Sequence, residues 1–223
     1  MRADRYRFLI FDWDGTLMDS IDTIVACTQA TVAELGLVAP SPQAIRSAIG
    51  LGLRETVDQL APGCDDQTYK AVVETYRRLW WGGFNRRTRL FAGVEPMLER
   101  LSSAGHTLAV ATAKTRDGLS EDLANTGTAS FFASSRTVDE SESKPHPGMV
   151  LGLLEEAGFL AQEALVIGDS VHDLAMAENA GVDALGVTTG AQTGAVLQEQ
   201  QPKDCLAGVI ELEEWLQQPQ GDG

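Results

Sequence analysis

Phe8-Leu9-Ile10-Phe11-Asp12-Trp13-Asp14-Gly15-Thr16-Leu17 is an apolar run that ends abruptly in two acids and a glycine. Residues two apart at a strand end face the same way, so Asp12 and Asp14 can share one site, and Gly15 permits a tight turn. Two further runs stop in the same manner. Thr107 to Ala111 ends at Thr112, and Ala164 to Ile167 ends at Gly168-Asp169. Short unbroken apolar runs of this kind predict strands buried on both faces of a parallel sheet. Ala184 to Val187 is a fourth candidate, and Ser130 to Ala133 and Cys205-Leu206 are weaker ones.

Helical spacing separates the strands. Val94, Met97, Leu98 and Leu101 precede Gly105, and Val150, Leu151, Leu153 and Leu154 precede Gly158. Alternating strand and helix predicts a doubly wound α/β sheet of Rossmann-like type. In such sheets ligands bind beyond the carboxyl ends of the strands, where Asp12, Thr112 and Asp169 fall. Residues 17–85 break the rhythm. They read as four helices, Ser20 to Leu35, Pro42 to Ile49, Leu53 to Leu60 and Thr68 to Trp81, with no strand between them. The expected organisation is therefore a core of residues 1–16 and 86–223 with an all-helical insert at 17–85. The polar tail from Gln217 to Gly223 is expected to be disordered.

The chain has 223 residues, 43% of them apolar, and a formal net charge of −15. That charge repels nucleic acid and anionic membranes, so neither is an expected partner. It also repels phosphate esters at long range, so an anion site must supply its own positive charge. Cys27, Cys64 and Cys205 are far apart and odd in number. This predicts a reduced, cytoplasmic setting with the cysteines as small core residues. No apolar stretch suits a signal peptide or a membrane span.

Asp12-Trp13-Asp14-Gly15-Thr16 resembles the first motif of the haloacid dehalogenase superfamily, and three further motifs follow in that family's order. Thr112, in Ala111-Thr112-Ala113-Lys114, matches the second. Lys144, in Ser143-Lys144-Pro145-His146-Pro147, matches the third, and Gly168-Asp169-Ser170-Val171-His172-Asp173 the fourth. The resemblance implies a magnesium-dependent phosphatase in which Asp12 attacks phosphorus. Charge explains the combination. A carboxylate about 4 Å from a phosphate dianion meets roughly 8 kcal/mol of repulsion at an effective dielectric of 20. Magnesium, which favours a few carboxylates plus water and a phosphate oxygen, would be held by Asp12, Asp169 and, by resemblance, the carbonyl of Asp14. Lys144 would add a point charge. The Thr112 hydroxyl and backbone amides around Trp13, Asp14 and Ala113 would bind the phosphate.

Asp14 would serve as general acid, then general base. Dehalogenases of the superfamily generally lack this second aspartate, so its presence favours phosphoryl chemistry. Asp173 would hold Lys144 or a metal-bound water, or simply sit favourably in the first turn of a helix. Two departures from the family pattern are Trp13, expected to narrow the site or touch the insert, and Ala113, of which only the amide is needed.

The remaining features have plainer readings. Ser20 reads as an N-cap, with gating by Asp19 or Ser20 as the alternative. Gly50-Leu51-Gly52-Leu53 resembles the loop of phosphoglycolate-phosphatase-like members, and Arg46 and Arg54 nearby could reach a substrate carboxylate. Arg77, Arg78, Arg86, Arg87 and Arg89 lie among Trp80, Trp81 and Phe84. That group is favoured as a solvated face beside a Gly82-Gly83 hinge over an anion site. His106, His146 and His172 lack metal-ligand spacing, and Gly190-Ala191-Gln192-Thr193-Gly194 lacks the setting of a dinucleotide loop. The expected substrate is a small phosphorylated metabolite, phosphoglycolate foremost. A β-phosphoglucomutase-like phosphomutase, a pyrophosphatase and a non-catalytic regulatory protein are the alternatives.

Overall fold

The structure, a computed structural model, describes residues 1–219. After a single-turn helix α1 (Arg2–Arg5) come β1 (Phe8–Phe11), β2 (Met18–Asp19) and the helices α2 (Ile21–Glu34), α3 (Pro42–Ala48), α4 (Leu53–Leu60) and α5 (Asp66–Leu79). The chain continues through β3 (Arg89–Leu90), α6 (Val94–Ser103), β4 (Thr107–Thr112), α7 (Arg116–Thr126) and β5 (Phe132–Thr137). It ends with α8 (Gly148–Ala157), β6 (Ala164–Gly168), α9 (Val171–Asn179), β7 (Asp183–Val187), α10 (Gly194–Gln198), β8 (Asp204–Leu206) and α11 (Leu212–Gln217).

Six strands form one parallel sheet in the order β5-β4-β1-β6-β7-β8. β1 sits between β4 and β6, with Phe8 opposite Thr107 on one side and Ala164 on the other. Its four residues are fully buried because their side chains alternate between two cores. Leu9 and Phe11 pack with Met97 and Leu98 of α6 and Trp215 of α11. Phe8 and Ile10 pack with Val150 and Leu153 of α8 and Met176 of α9. Each such side chain contributes roughly 1.5–3 kcal/mol by leaving water. This two-sided burial is why the central strands read as unbroken apolar runs.

β5 starts at Phe132, not at the expected Ser130, and carries Ser134, Ser135 and Arg136. As an edge strand it needs no second apolar face. α5 begins two residues before the expected Thr68, because the Asp65 carboxylate accepts from the Thr68 amide at 2.7 Å and caps the helix there. It gives way at Trp80 to a wide π-type turn, Trp80–Phe84, broken by non-helical dihedrals at Gly83. β2 and β3 form a two-residue antiparallel ribbon that ties the entry of the helical stretch to its exit.

Cys27 is fully buried and Cys205 packs half-buried against the core, while Cys64 is partly exposed and joins neither core, which corrects the expectation for Cys64. Gln217 closes α11, and the last four residues of the expected disordered tail, 220–223, lie outside the described residues. Among the described residues no helix is long and apolar enough to cross a membrane.

Candidate active site

The carboxyl ends of β1, β4, β5 and β6 bring together Asp12, Asp14, Thr112, Lys144, Asp169 and Asp173. The Asp12 amide donates to the Ile167 carbonyl at 2.9 Å, which extends the β1–β6 ladder by one residue and fixes Asp12 beside β6. The chain then reverses. The amides of Leu17 and Met18 donate to the Trp13 carbonyl at 3.0 and 2.9 Å. Gly15 has φ +86°, and a Cβ there would lie 2.5 Å from Asp169 Oδ2. Only glycine meets both the left-handed backbone and the close approach.

Asp12, Asp169 and Asp173 are buried, and carboxylate oxygens of the three lie within 4.8 Å of one another. Lys144 is buried among them and donates at 2.6 Å to Asp12 Oδ1 and at 2.6 Å to Asp173 Oδ1. Burial works against its charge, but Asp12 and Asp173 hold it ionised, well above the ordinary lysine value. Burial pushes Asp12 up to about 7, against the pull of Lys144 and with a further push from Asp173. Burial, then Asp12 and Asp173, raise Asp169 well above the carboxylate range. One ammonium thus serves three buried acids and leaves a deficit of positive charge. Hard oxygen donors and unmet negative charge suit a divalent cation such as magnesium.

Asp169 is held on both oxygens: Thr16 Oγ1 donates to Oδ1 at 2.9 Å and the Ala191 amide to Oδ2 at 2.6 Å. The glycine-flanked 190–194 segment, which fits no dinucleotide site, thus helps to orient Asp169. Asp173 Oδ2 accepts from the Ser170 amide and hydroxyl at 3.0 and 2.6 Å in a capping box at the start of α9. Both expected readings of Asp173, as a lysine holder and as a first-turn carboxylate, describe the same side chain. Thr112 is buried at the end of β4, where its hydroxyl accepts from the Lys114 amide at 3.2 Å.

A second cluster surrounds Asp14. Lys114 Nζ lies 3.0 Å from both Asp14 oxygens and 3.1 Å from Asp122 of α7. It also lies 5.2 Å from the centre of the Trp80 ring. Ser20 Oγ donates to Asp14 Oδ1 at 2.7 Å and makes no side-chain cap to α2. Ser20 is therefore a partner of Asp14, which corrects its reading as an ordinary N-cap. Asp19, on β2, is exposed. The contacts of Lys114 with Asp14 and Asp122 were not legible in the sequence. The only cue was the position of Lys114 two residues past Thr112.

Trp13 is a second correction. Its indole is fully buried, donates to Asp122 Oδ2 at 2.9 Å and stacks edge-on against Phe132. It lines no part of the cavity, so it cannot narrow the site, and only its backbone is left to meet a phosphate. Arg46 pairs with Asp22, and Arg54 lies 3.0 Å from Asp58 and 3.4 Å from Asp66. Neither lines the cavity. Arg78 pairs with Glu34, and Arg87 covers the Phe84 ring at 4.5 Å. Each of the three histidine rings lies near a separate neighbour: His106 the Tyr6 carbonyl, His146 Glu142, and His172 the Ser47 carbonyl.

A cavity of about 860 Å³ opens at Asp12, Asp14 and Thr112 and runs between the helices of the 20–81 stretch. The loop that joins α3 to α4 closes one side. A Cβ on Gly52 would lie 2.3 Å from Ser143 Oγ, and one on Gly50 would lie 2.9 Å from Ser170 Oγ.

The family model for haloacid dehalogenase-like hydrolases matches residues 9–187, which span every motif above. The chain belongs to that family. It is 34% identical to a "Probable phosphatase IndB" of Dickeya dadantii over 87% of this chain and 86% of that protein. It is 33% identical to a phosphoglycolate phosphatase of Agrobacterium fabrum over 81% of this chain and 80% of that one. The crystal structure of a haloacid dehalogenase-like hydrolase from Bacteroides fragilis superposes with a TM-score of 0.87 at 26% identity, covering 93% of this chain and all of that one. For a hydrolase of this family the six-stranded sheet and its acid-lined mouth are the expected frame.

Proposed function

We propose that this hydrolase is a magnesium-dependent phosphatase that releases phosphate from a small phosphomonoester through a covalent phosphoryl group on Asp12. The observation that carries the reading is the buried Asp12–Lys144–Asp173 chain with Asp169 beside it, in which acids outnumber cations. Asp12, Asp169 and the Asp14 carbonyl would hold magnesium. When bound, the ion would offset the carboxylate charge and polarise a phosphate oxygen.

Asp12 forms a bond to phosphorus as the bond from phosphorus to the ester oxygen breaks, and Lys144 on its Oδ1 fixes the attacking carboxylate. Asp14 gives its proton to the departing alkoxide. It then takes a proton from the water that attacks the phosphoryl group and frees Asp12. Ser20 and Lys114, both donors to Asp14, hold its ionised form in place for the second transfer. Thr112 and the amides around Trp13, Asp14 and Ala113 bind the phosphate oxygens. Residues 17–85 act as a cap over the core at 1–16 and 86–223, and closure excludes water until the alkoxide has left.

The test is phosphate release from p-nitrophenyl phosphate with magnesium. We expect turnover by the wild type and a loss of at least about 1,000-fold in Asp12→Asn, since removing a nucleophile leaves only binding and electrostatics. Wild-type turnover in that variant would refute the assignment. A phosphomutase would instead interconvert glucose phosphates without net phosphate release.

A further inference from the structure

The cavity that starts at Asp12 and Asp14 says more about the leaving group than the catalytic residues do. Its volume of about 860 Å³ lies in the range, roughly 300–1,000 Å³, that takes a drug-sized molecule. Beyond the acids its walls are mainly apolar, with Ile24, Val57 and Val72 among the lining side chains together with Thr28, Thr56 and Thr68. Near Asp14 the wall is aromatic. Tyr76 and Trp80 stack with ring centres 5.9 Å apart and planes 11° from parallel, and both line the cavity. Among the described residues the Tyr76 hydroxyl makes no hydrogen bond, so it joins the threonine hydroxyls as a polar handle in a mainly apolar wall.

Charge points the same way. Lys114 is committed to Asp14 and Asp122. The other lining cation, Arg77, is on an exposed side chain, while Asp117 and Asp139 add negative charge to the rim. Arg46 and Arg54, the residues suited to a substrate carboxylate, are paired elsewhere. A second anionic group held near Asp14 would therefore meet acids, because Arg77, the one lining cation not committed to an acid among the described residues, lies on an exposed side chain.

We infer that the alcohol released by this enzyme is uncharged, apolar and ring-bearing, and that it lies in the cavity between the helices with its ring against Tyr76 and Trp80. This rests on the phosphatase reading and names its substrate class. The phosphoester must then be attached through a short alkyl arm, so that the phosphorus reaches Asp12 while the ring stays within the helical block.

The test compares kcat/KM with magnesium for 2-phenylethyl phosphate, ethyl phosphate and phosphoglycolate. All three release an alkyl alkoxide, so differences report binding of the leaving group. Burial of a phenyl ring predicts a preference for 2-phenylethyl over ethyl phosphate of roughly 10- to 100-fold. Phosphoglycolate should fall below 2-phenylethyl phosphate as well. Val72→Trp, which fills the cavity, and Tyr76→Leu, which removes the stacked ring, should each bring the 2-phenylethyl to ethyl ratio several-fold closer to one. If Val72→Trp fails to fold, the ratio in Tyr76→Leu decides. A wild-type ratio near one, a preference for phosphoglycolate, or a ratio untouched by the variants would overturn the inference and leave the phosphatase reading standing. No phosphate release from any of the three esters or from p-nitrophenyl phosphate would overturn both.

Discussion

Lys114 and Lys144 each place one ammonium against two carboxylates, buried at Lys144 and partly exposed on Asp14 at Lys114, yet they serve different acids. Lys144 holds Asp12 and Asp173, and Lys114 holds Asp14 and Asp122. Burial opposes the charge of Lys114 too, but its two acids keep it above the ordinary lysine value. Removing one partner of a buried ion pair costs roughly 3–5 kcal/mol, because the other charge is left unpaired. Lys114→Met should therefore lower the unfolding free energy by an amount in that range, read from urea denaturation. Adding Asp122→Asn removes one stranded charge and should restore part of that stability. It should not restore turnover, which we expect to fall about 10- to 100-fold in both variants because Asp14 loses its positioning partner. Full recovery of activity in the double variant would show that Lys114 acts only through folding. Lys144 was legible in the sequence because it stands in a motif beside two prolines. Lys114 and Asp122 were not, because the contacts that define them span residues about 100 positions apart in the chain, or come from α7, whose interior Gly118 and sparse leucines give little helical signal.

At the scale of elements, the runs ending at Asp12, Thr112 and Asp169 were readable because central strands are apolar on both faces. β5 and the β2–β3 ribbon were obscured by their position: one is an edge with polar residues, the other is two residues long. The α3–α4 loop has more consequence for function than its length suggests. It meets the core at Ser143, next to Lys144, and at Ser170, next to Asp169. A side chain at Gly52 would have to displace Ser143 Oγ and Glu55 Oε2, which lie 2.3 and 2.5 Å from its Cβ position. Both atoms can rotate away from a methyl group, so Gly52→Ala should be mild. Gly52→Leu cannot be accommodated without lifting the loop off the core. We expect kcat to fall about 10-fold or more in Gly52→Leu, together with a lower melting temperature because Gly52 is buried against the core. Equal kcat in the two variants would mean that contact between this loop and the core does not govern turnover.

Across the whole molecule, the six strands of the main sheet and their alternation with helices could be read from the sequence. The order β5-β4-β1-β6-β7-β8 could not, because pairing depends on crossovers that local patterns do not encode. That order matters, since it sets β1 between β4 and β6 and so gathers acids from separate loops into one buried cluster. The clustering has a measurable cost. Asp12 rises to about 7 on folding, and an ordinary aspartate titrates near about 4, so the folded protein binds the extra proton more tightly between those values. Stability from this group is therefore greatest below about pH 4 and is lost as pH rises towards 7, by an amount on the order of 4 kcal/mol. Asp169 shifts in the same direction. A divalent cation binds the ionised carboxylates and competes with those protons, so its stabilising effect must grow over the same window. At a magnesium concentration 100 times its dissociation constant the gain is about 2.7 kcal/mol, or roughly 5–10 °C in melting temperature for a chain of this size. Thermal melts with and without magnesium should show that increment at pH 7.5 and a much smaller one at pH 5. In Asp169→Asn the increment at pH 7.5 should shrink, because a neutral amide replaces one of the charged ligands. An increment that is larger at pH 5, or that survives intact in Asp169→Asn, would place the ion somewhere other than this acidic cluster.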